Sequence, residues 1–303
     1  GGAIDCRESS LTVTNCTFEK LAARFGGGAI GARLMTGDVA ISDCKFTDNV
    51  CGPKNGTGGA IYVSAKADGR TLHVGGSTFS GNVAQSGGAV TTVCTTDDGE
   101  HPMALDIVAC TFDGNAVDYN GGAVFAGGDV SVSNSLFVAN GAGVQGGALC
   151  VGGPDVASSA DVRIESGTVF RGNQATNDSE TVWTCGGAVA LVDNGGQQSI
   201  VGRYVVFEDN VAHSPAGGFG GAVDTVVGAA GARREREPVA GLGLVGVHLT
   251  QLEGIHPQLL RQHIDGGLHH GVALRGAETA HGAGGHLVGI DRPAQEAEIG
   301  HHV

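Results

Sequence analysis

Eight pairs of adjacent glycines, each followed by Ala and then by Ile, Val or Leu, punctuate the chain as far as Val223. They stand at Gly1-Gly2, Gly27-Gly28, Gly58-Gly59, Gly87-Gly88, Gly121-Gly122, Gly146-Gly147, Gly186-Gly187 and Gly220-Gly221. A second anchor, Phe-x-x-Asn, alternates with them: Phe46 to Asn49, Phe79 to Asn82, Phe112 to Asn115, Phe137 to Asn140, Phe170 to Asn173 and Phe207 to Asn210. Phe18-Glu19-Lys20-Leu21 is an imperfect first copy, with Leu in the place of Asn. Successive Phe residues are 28, 33, 33, 25, 33 and 37 positions apart. A helical repeat holds its length more tightly. A unit that stretches by several residues while keeping two anchors reads as a solenoid with loops spliced between fixed corners.

The residues before each Phe give the local period. Val39 and Ile41 precede Cys44 and Phe46; Leu72 and Val74 precede Ser77 and Phe79; Leu105 and Ile107 precede Cys110 and Phe112. Each half alternates as a strand does, but the halves are out of phase. A bend at Asp43, Gly76, Ala109 or Asn134 turns both halves inward around a corner. With the Gly-Gly-Ala segment as a third side, the unit is predicted to make one three-stranded coil of an all-β parallel β-helix, about seven coils in all. Stacked coils place Phe46, Phe79, Phe112, Phe137, Phe170 and Phe207 in one seam. They place Asn49, Asn82, Asn115, Asn140, Asn173 and Asn210 in a corner column whose amides bond one another and the turn backbone. The paired glycines fit a corner where φ is positive or a side chain would clash. These twelve residues are read as structural.

Charge narrows the partners. The net charge is −14, from 31 acidic residues against 17 Lys plus Arg, and the last of only four Lys is Lys66. Such a surface repels nucleic acid. No apolar run approaches the ~18 residues of a membrane-spanning helix. Gly1 already lies inside a repeat, which reads as a processed chain or a fragment. Cys16, Cys44 and Cys110 share one inward position with Ser77, Ser135 and Thr168. They are expected to be buried free thiols or stacked small side chains, with a Cys16–Cys44 disulfide as the alternative. Cys94 and Cys185 border longer excursions and are candidates for loop staples.

A regular scaffold carries its function on its excursions. Thr95 to Pro102 places Asp97, Asp98, Glu100 and His101 within five residues. That set could bind Ca²⁺ weakly or supply a general acid/base pair, or be a solvated acidic loop; no basic residue can be placed beside it from the sequence. The Gln174 to Thr184 excursion holds Trp183, the one Trp, either a sugar platform or an anchor to the core. Asn15-Cys16-Thr17, Asn55-Gly56-Thr57 and Asn177-Asp178-Ser179 match the glycosylation acceptor pattern. No motif for a bound cofactor occurs. The repeat domain is expected to span 1–230. Beyond it, 231–303 contains no Phe, Cys or Asn and holds nine of the twelve His. It reads as a cap, a disordered tail or the product of a shifted reading frame, with Gln251 to Ile264 able to form an amphipathic helix.

Gly-Gly-Ala-Ile/Val interleaved with Phe-x-x-Asn resembles the repeat of the chlamydial-type polymorphic outer membrane proteins, over about Gly1 to Val227. The resemblance implies a right-handed β-helical autotransporter passenger, surface-exposed or secreted and outer-membrane-associated if bacterial. It also implies adhesion to host or neighbouring cells through a surface protein or glycan. The preferred expectation is therefore a non-enzymatic adhesin or structural stalk. The alternative is a polysaccharide lyase or glycoside hydrolase, which the same fold hosts.

Overall fold

Each repeat unit folds into four short strands, one more than the alternation of the sequence predicts. The computed structural model describes residues 1–52, 56–92, 100–152, 160–193, 198–227 and 247–253. The unit that begins at Gly58 is representative, with strands Ile61–Ala65, Thr71–Gly75, Thr78–Ser80 and Val83–Ala84. Each strand pairs in parallel with its counterparts one coil earlier and one coil later. Four sheets of eight, eight, seven and seven strands result. The molecule is a right-handed parallel β-helix of about seven coils. The unforeseen fourth strand follows the Asn, as Val50–Cys51, Val83–Ala84 and Ala116–Val117. Two residues are too few to display a period, so its signal is absent from the sequence.

The corners explain the phase change. Asp43, Gly76, Ala109 and Asn134 have φ of 53°, 57°, 54° and 47°, so the expected bend is one left-handed residue. A second left-handed residue stands immediately before each Asn: Asp48 at 53°, Gly81 at 61°, Gly114 at 61° and Ala139 at 52°. The Asn is not itself the left-handed residue; its part is to bond the turn. The glycine pair has two separate causes. Gly58 adopts φ +69°, and a Cβ on Gly59 would lie 2.0 Å from the carbonyl oxygen of Gly88 in the next coil. No residue larger than Gly fits the second place.

Strict register turns each anchor into a column. Phe79 pairs with Phe46 behind and Phe112 ahead. The rings from Phe18 to Phe207 stack with centroids 4.6 to 5.1 Å apart and planes within 10°. Phe18 thus joins the seam although its unit lacks the Asn. In the Asn column, Asn82 Oδ1 accepts both the backbone N–H (3.0 Å) and the side-chain Nδ2 (2.9 Å) of Asn49. Asn82 Nδ2 donates to Phe46 O at 3.1 Å and to Asn115 Oδ1 at 2.9 Å. The pattern continues to Asn210. At the other end Leu21 contributes only its N–H, to Asn49 Oδ1 at 3.1 Å. A third column joins the small polar positions, where Cys16, Cys44 and Cys110 donate backbone N–H groups to Cys44 Sγ, Ser77 Oγ and Ser135 Oγ. Ile61, Val63, Leu72 and Val74 and their equivalents complete one continuous core.

The segment leading to each glycine pair forms a partial outer layer. Gly26, Thr57 and Ser86 bridge in succession, as do Asn120, Gln145 and Cys185. Beneath it Phe125, Cys150, Ala190 and Val192 form a buried cluster separate from the main core. Beyond Val227, the strand Val247–Glu253 pairs with Gln198–Arg203 as the last member of the second sheet. Gln251 to Glu253, expected to open a helix, therefore belong to a strand; the rest of that stretch lies outside the described residues. Among the described residues no helix is long and apolar enough to cross a membrane.

Candidate functional site

The acidic excursion returns to the scaffold at Glu100 and His101. His101 and Ala65 exchange backbone hydrogen bonds of 2.8 Å each, the one antiparallel bridge among the described residues. The bridge sends the two adjacent side chains to different partners. Glu100 is only 7% exposed. Its Oε2 accepts the Tyr62 hydroxyl at 2.6 Å, and its Oε1 lies 3.0 Å from Arg33 Nε. Arg33 sits 5.4 Å from the centre of the Tyr62 ring, so the three groups form one charge-neutralised unit on the first sheet. His101 Nδ1 instead lies 2.8 Å from Asp68 Oδ1 in the preceding turn, open to solvent. Asp97 and Asp98 lie outside the described residues.

The sequence alone places no basic residue beside this loop; the structure supplies Arg33. The two residues are separated by the whole intervening coil, and only the loop's return across the first sheet brings them together. A buried carboxylate with both oxygens engaged is an anchor for the loop, because breaking such a pair leaves a charge without compensation. Among the described residues no three His, Cys, Asp or Glu side chains converge as a metal site would require.

Trp183 is half-exposed, and its ring stacks on Phe219 at 5.1 Å and 22°. Phe25 and Tyr119 are also exposed, at 58% and 50%, on the outer segments that lead to glycine pairs. Along the fourth sheet, Val50, Val83 and Ala116 face outward in register. They floor an open groove of about 270 Å³ bordered by Gly52, Gln85 and Asp118. Such a groove suits a shallow contact with a large partner more than enclosure of a small molecule.

The described cysteines are free thiols, including Cys16 and Cys44. Burial pushes Cys44 and Cys150 up, Cys110 to about 11 and Cys185 to about 12. Thiols held this far from ionisation are poor nucleophiles. Of the glycosylation acceptors, Asn177 uses its Nδ2 to donate to Gly143 O at 2.9 Å and its Oδ1 to accept from Ser179 N. Asn15 stands at a corner with φ 55°, and Asn55 lies outside the described residues.

Comparison with known families adds one finding. The Chlamydia polymorphic membrane protein repeat matches residues 109–127, the stretch that holds Cys110, Phe112, Asn115 and the glycine pair at Gly121-Gly122. No curated protein and no solved structure matches the chain. Over those residues the chain is similar to a repeat of polymorphic membrane proteins.

Proposed function

We propose that this protein is a non-enzymatic, surface-exposed or secreted β-helix of the polymorphic membrane protein type, which presents its loops and flat faces to a cell-surface protein or glycan. One observation carries the reading: the residues that define the repeat are all spent on the interior. Phe112 and Asn115 are fully buried, and so are their equivalents through the middle of the molecule. Among the described residues, what remains outside is shallow: the apolar strip of the fourth sheet and the exposed rings of Phe25, Tyr119 and Trp183. Repeated weak contacts along an elongated scaffold add up through effective concentration and need no deep pocket. The match at 109–127 supports the same reading.

The engagement of Glu100 by Arg33 and Tyr62 weighs against the lyase or hydrolase alternative. A general acid or base needs a carboxyl free to exchange a proton with substrate, and both oxygens of Glu100 are already committed. The test is adhesion. Beads coated with the chain are expected to adhere to cultured animal cells above beads coated with an unrelated β-helical protein. Equal adhesion of the two sets refutes the recognition role.

A further inference from the structure

Trp183 is the one Trp of the chain, and its ring is held in place from several sides. It stacks on Phe219 at 5.1 Å, yet the residue stays 51% exposed. The loop that carries it is tied to both neighbouring coils. Asn177 Nδ2 donates to Gly143 O at 2.9 Å in the coil before, and Thr184 N donates to Gly217 O at 3.2 Å in the coil after. The coil before also links this loop to Tyr119, which is 50% exposed. Val144 N donates to Tyr119 O at 2.9 Å, and Cys185 N donates to Val144 O at 3.0 Å. The backbone segments of Tyr119 and Trp183 are therefore two rungs apart in one bonded layer, about 10 Å along the axis. Their surroundings set the charge. The stretches 116–122, 141–147, 174–185 and 211–219 contain Asp118, Asp178 and Glu180 but no Lys or Arg. All three carboxylates are exposed.

We propose that Tyr119 and Trp183 are two platforms of one binding site for an uncharged, extended β-linked oligosaccharide. A pyranose with equatorial substituents has flat C–H faces that pack on aromatic rings and a rim of hydroxyls that needs polar partners. An extended β-linked chain advances by close to one rung per sugar, so sugars two apart in the chain meet the two rings. Ser179 Oγ and Thr181 Oγ1, 3.0 Å from each other at the surface of the Trp183 loop, can exchange hydrogen bonds with the sugar hydroxyls. A protein partner favours a continuous apolar centre, whereas Gly143, Ser179 and Thr181 interrupt the apolar surface here. The carboxylates of Asp118, Asp178 and Glu180 repel uronates and sulfated sugars. A ring already fixed by Phe219 loses little freedom on binding. The site rests on the reading of the chain as a recognition scaffold and gives that scaffold a ligand class.

The test follows the emission of Trp183 while the full chain is titrated with cellohexaose and N-acetylchitohexaose, with maltohexaose as the coiled control and trigalacturonate as the charged one. One of the two β-linked hexaoses is expected to shift the emission to shorter wavelength and to shield it from acrylamide. The stronger of the two identifies the sugar as glucose or N-acetylglucosamine. Its affinity is expected to be the same at about 50 mM and about 200 mM salt, because no ion pair forms. By calorimetry, Trp183→Ala is expected to lower that affinity about tenfold and Trp183→Tyr to recover most of it. Tyr119→Ala is expected to lower it about threefold and to leave the emission shift in place. Tyr204→Ala removes a ring that is 65% exposed at a corner beside the third sheet, and is expected to change nothing. Unchanged circular dichroism confirms folding of the variants. Binding of neither β-linked hexaose, equal affinity in Trp183→Ala or in Tyr119→Ala, or preference for maltohexaose or trigalacturonate overturns the site. Bead adhesion separates the two claims. If parent beads adhere although neither hexaose binds, the site falls and the adhesin reading stands. If a hexaose binds at Trp183 but parent beads fail to adhere, the site stands and the adhesin reading falls.

Discussion

Asn82→Ala removes the centre of the amide column, and its cost can be worked from the bonds it breaks. The Asn82 side chain makes four: from Asn49 N and Asn49 Nδ2 to its Oδ1, and from its Nδ2 to Phe46 O and Asn115 Oδ1. Asn49 Nδ2 keeps Phe18 O, and Asn115 Oδ1 keeps the Asn82 N–H. The Asn49 N–H, on a residue with no exposure, keeps nothing. One orphaned buried donor costs about 1–3 kcal/mol, and the other three bonds contribute about 0.5–1.5 kcal/mol each. The sum is a loss of about 2.5–7.5 kcal/mol, read as a lower midpoint in urea denaturation followed by circular dichroism. Asn49→Ala breaks a shorter set at the Leu21 end, where the affected N–H is only partly buried, and is expected to cost less. Asn82→Asp adds a pH signature. A neutral carboxyl can donate to Phe46 O or Asn115 Oδ1, whereas a buried carboxylate faces both with an acceptor, so the folded pKa of the new group is raised. The variant is then most stable below the usual carboxylate range and loses stability as pH rises through the raised folded value. A loss under about 1 kcal/mol for Asn82→Ala, with no difference from Asn49→Ala, refutes the reasoning.

Three further outcomes are expected. Phe112→Ala, which removes a ring stacked at 4.7 Å on both Phe79 and Phe137, should cost about 3–5 kcal/mol and lower the melting temperature; an unchanged melt contradicts the seam. Gly88→Ala puts a Cβ 2.1 Å from Gly122 O and should abolish soluble folded protein, whereas Gly114→Ala meets nothing within 4 Å and should cost only the left-handed backbone penalty of about 1–2 kcal/mol. Cys110, raised from 9.0 to about 11 by burial, favours the folded state while it is neutral. That stability is complete below about pH 9 and fades as pH rises towards 11, so the melting temperature should fall there; Cys110→Ser, which installs the side chain used at Ser77 and Ser135, should make that fall smaller by the share of Cys110 and leave the shares of Cys44, Cys150 and Cys185.

The columns were legible because stacking admits few side chains at Phe46, Asn49 or Gly59, so the same letters recur. The left-handed place before each Asn was not legible, because Asp48, Gly81, Gly114 and Ala139 all occupy it. There the following Asn bonds the turn, and at Gly114 a side chain would meet nothing within 4 Å that could select it. The two-residue fourth strand left no period. The Arg33–Glu100 pair was hidden for another reason. It joins a strand to an inserted loop that no other coil repeats, so no column announces it.

A scaffold whose motif residues lie in its interior is expected to recognise a partner without turning it over. The most direct measurement incubates the full chain with acidic and neutral polysaccharides, with and without Ca²⁺, and follows polymer size by size-exclusion chromatography. Intact polymer is expected in every sample. Shortening of any polymer by the parent chain, abolished by Glu100→Gln, would contradict it and make the acidic loop a catalytic site.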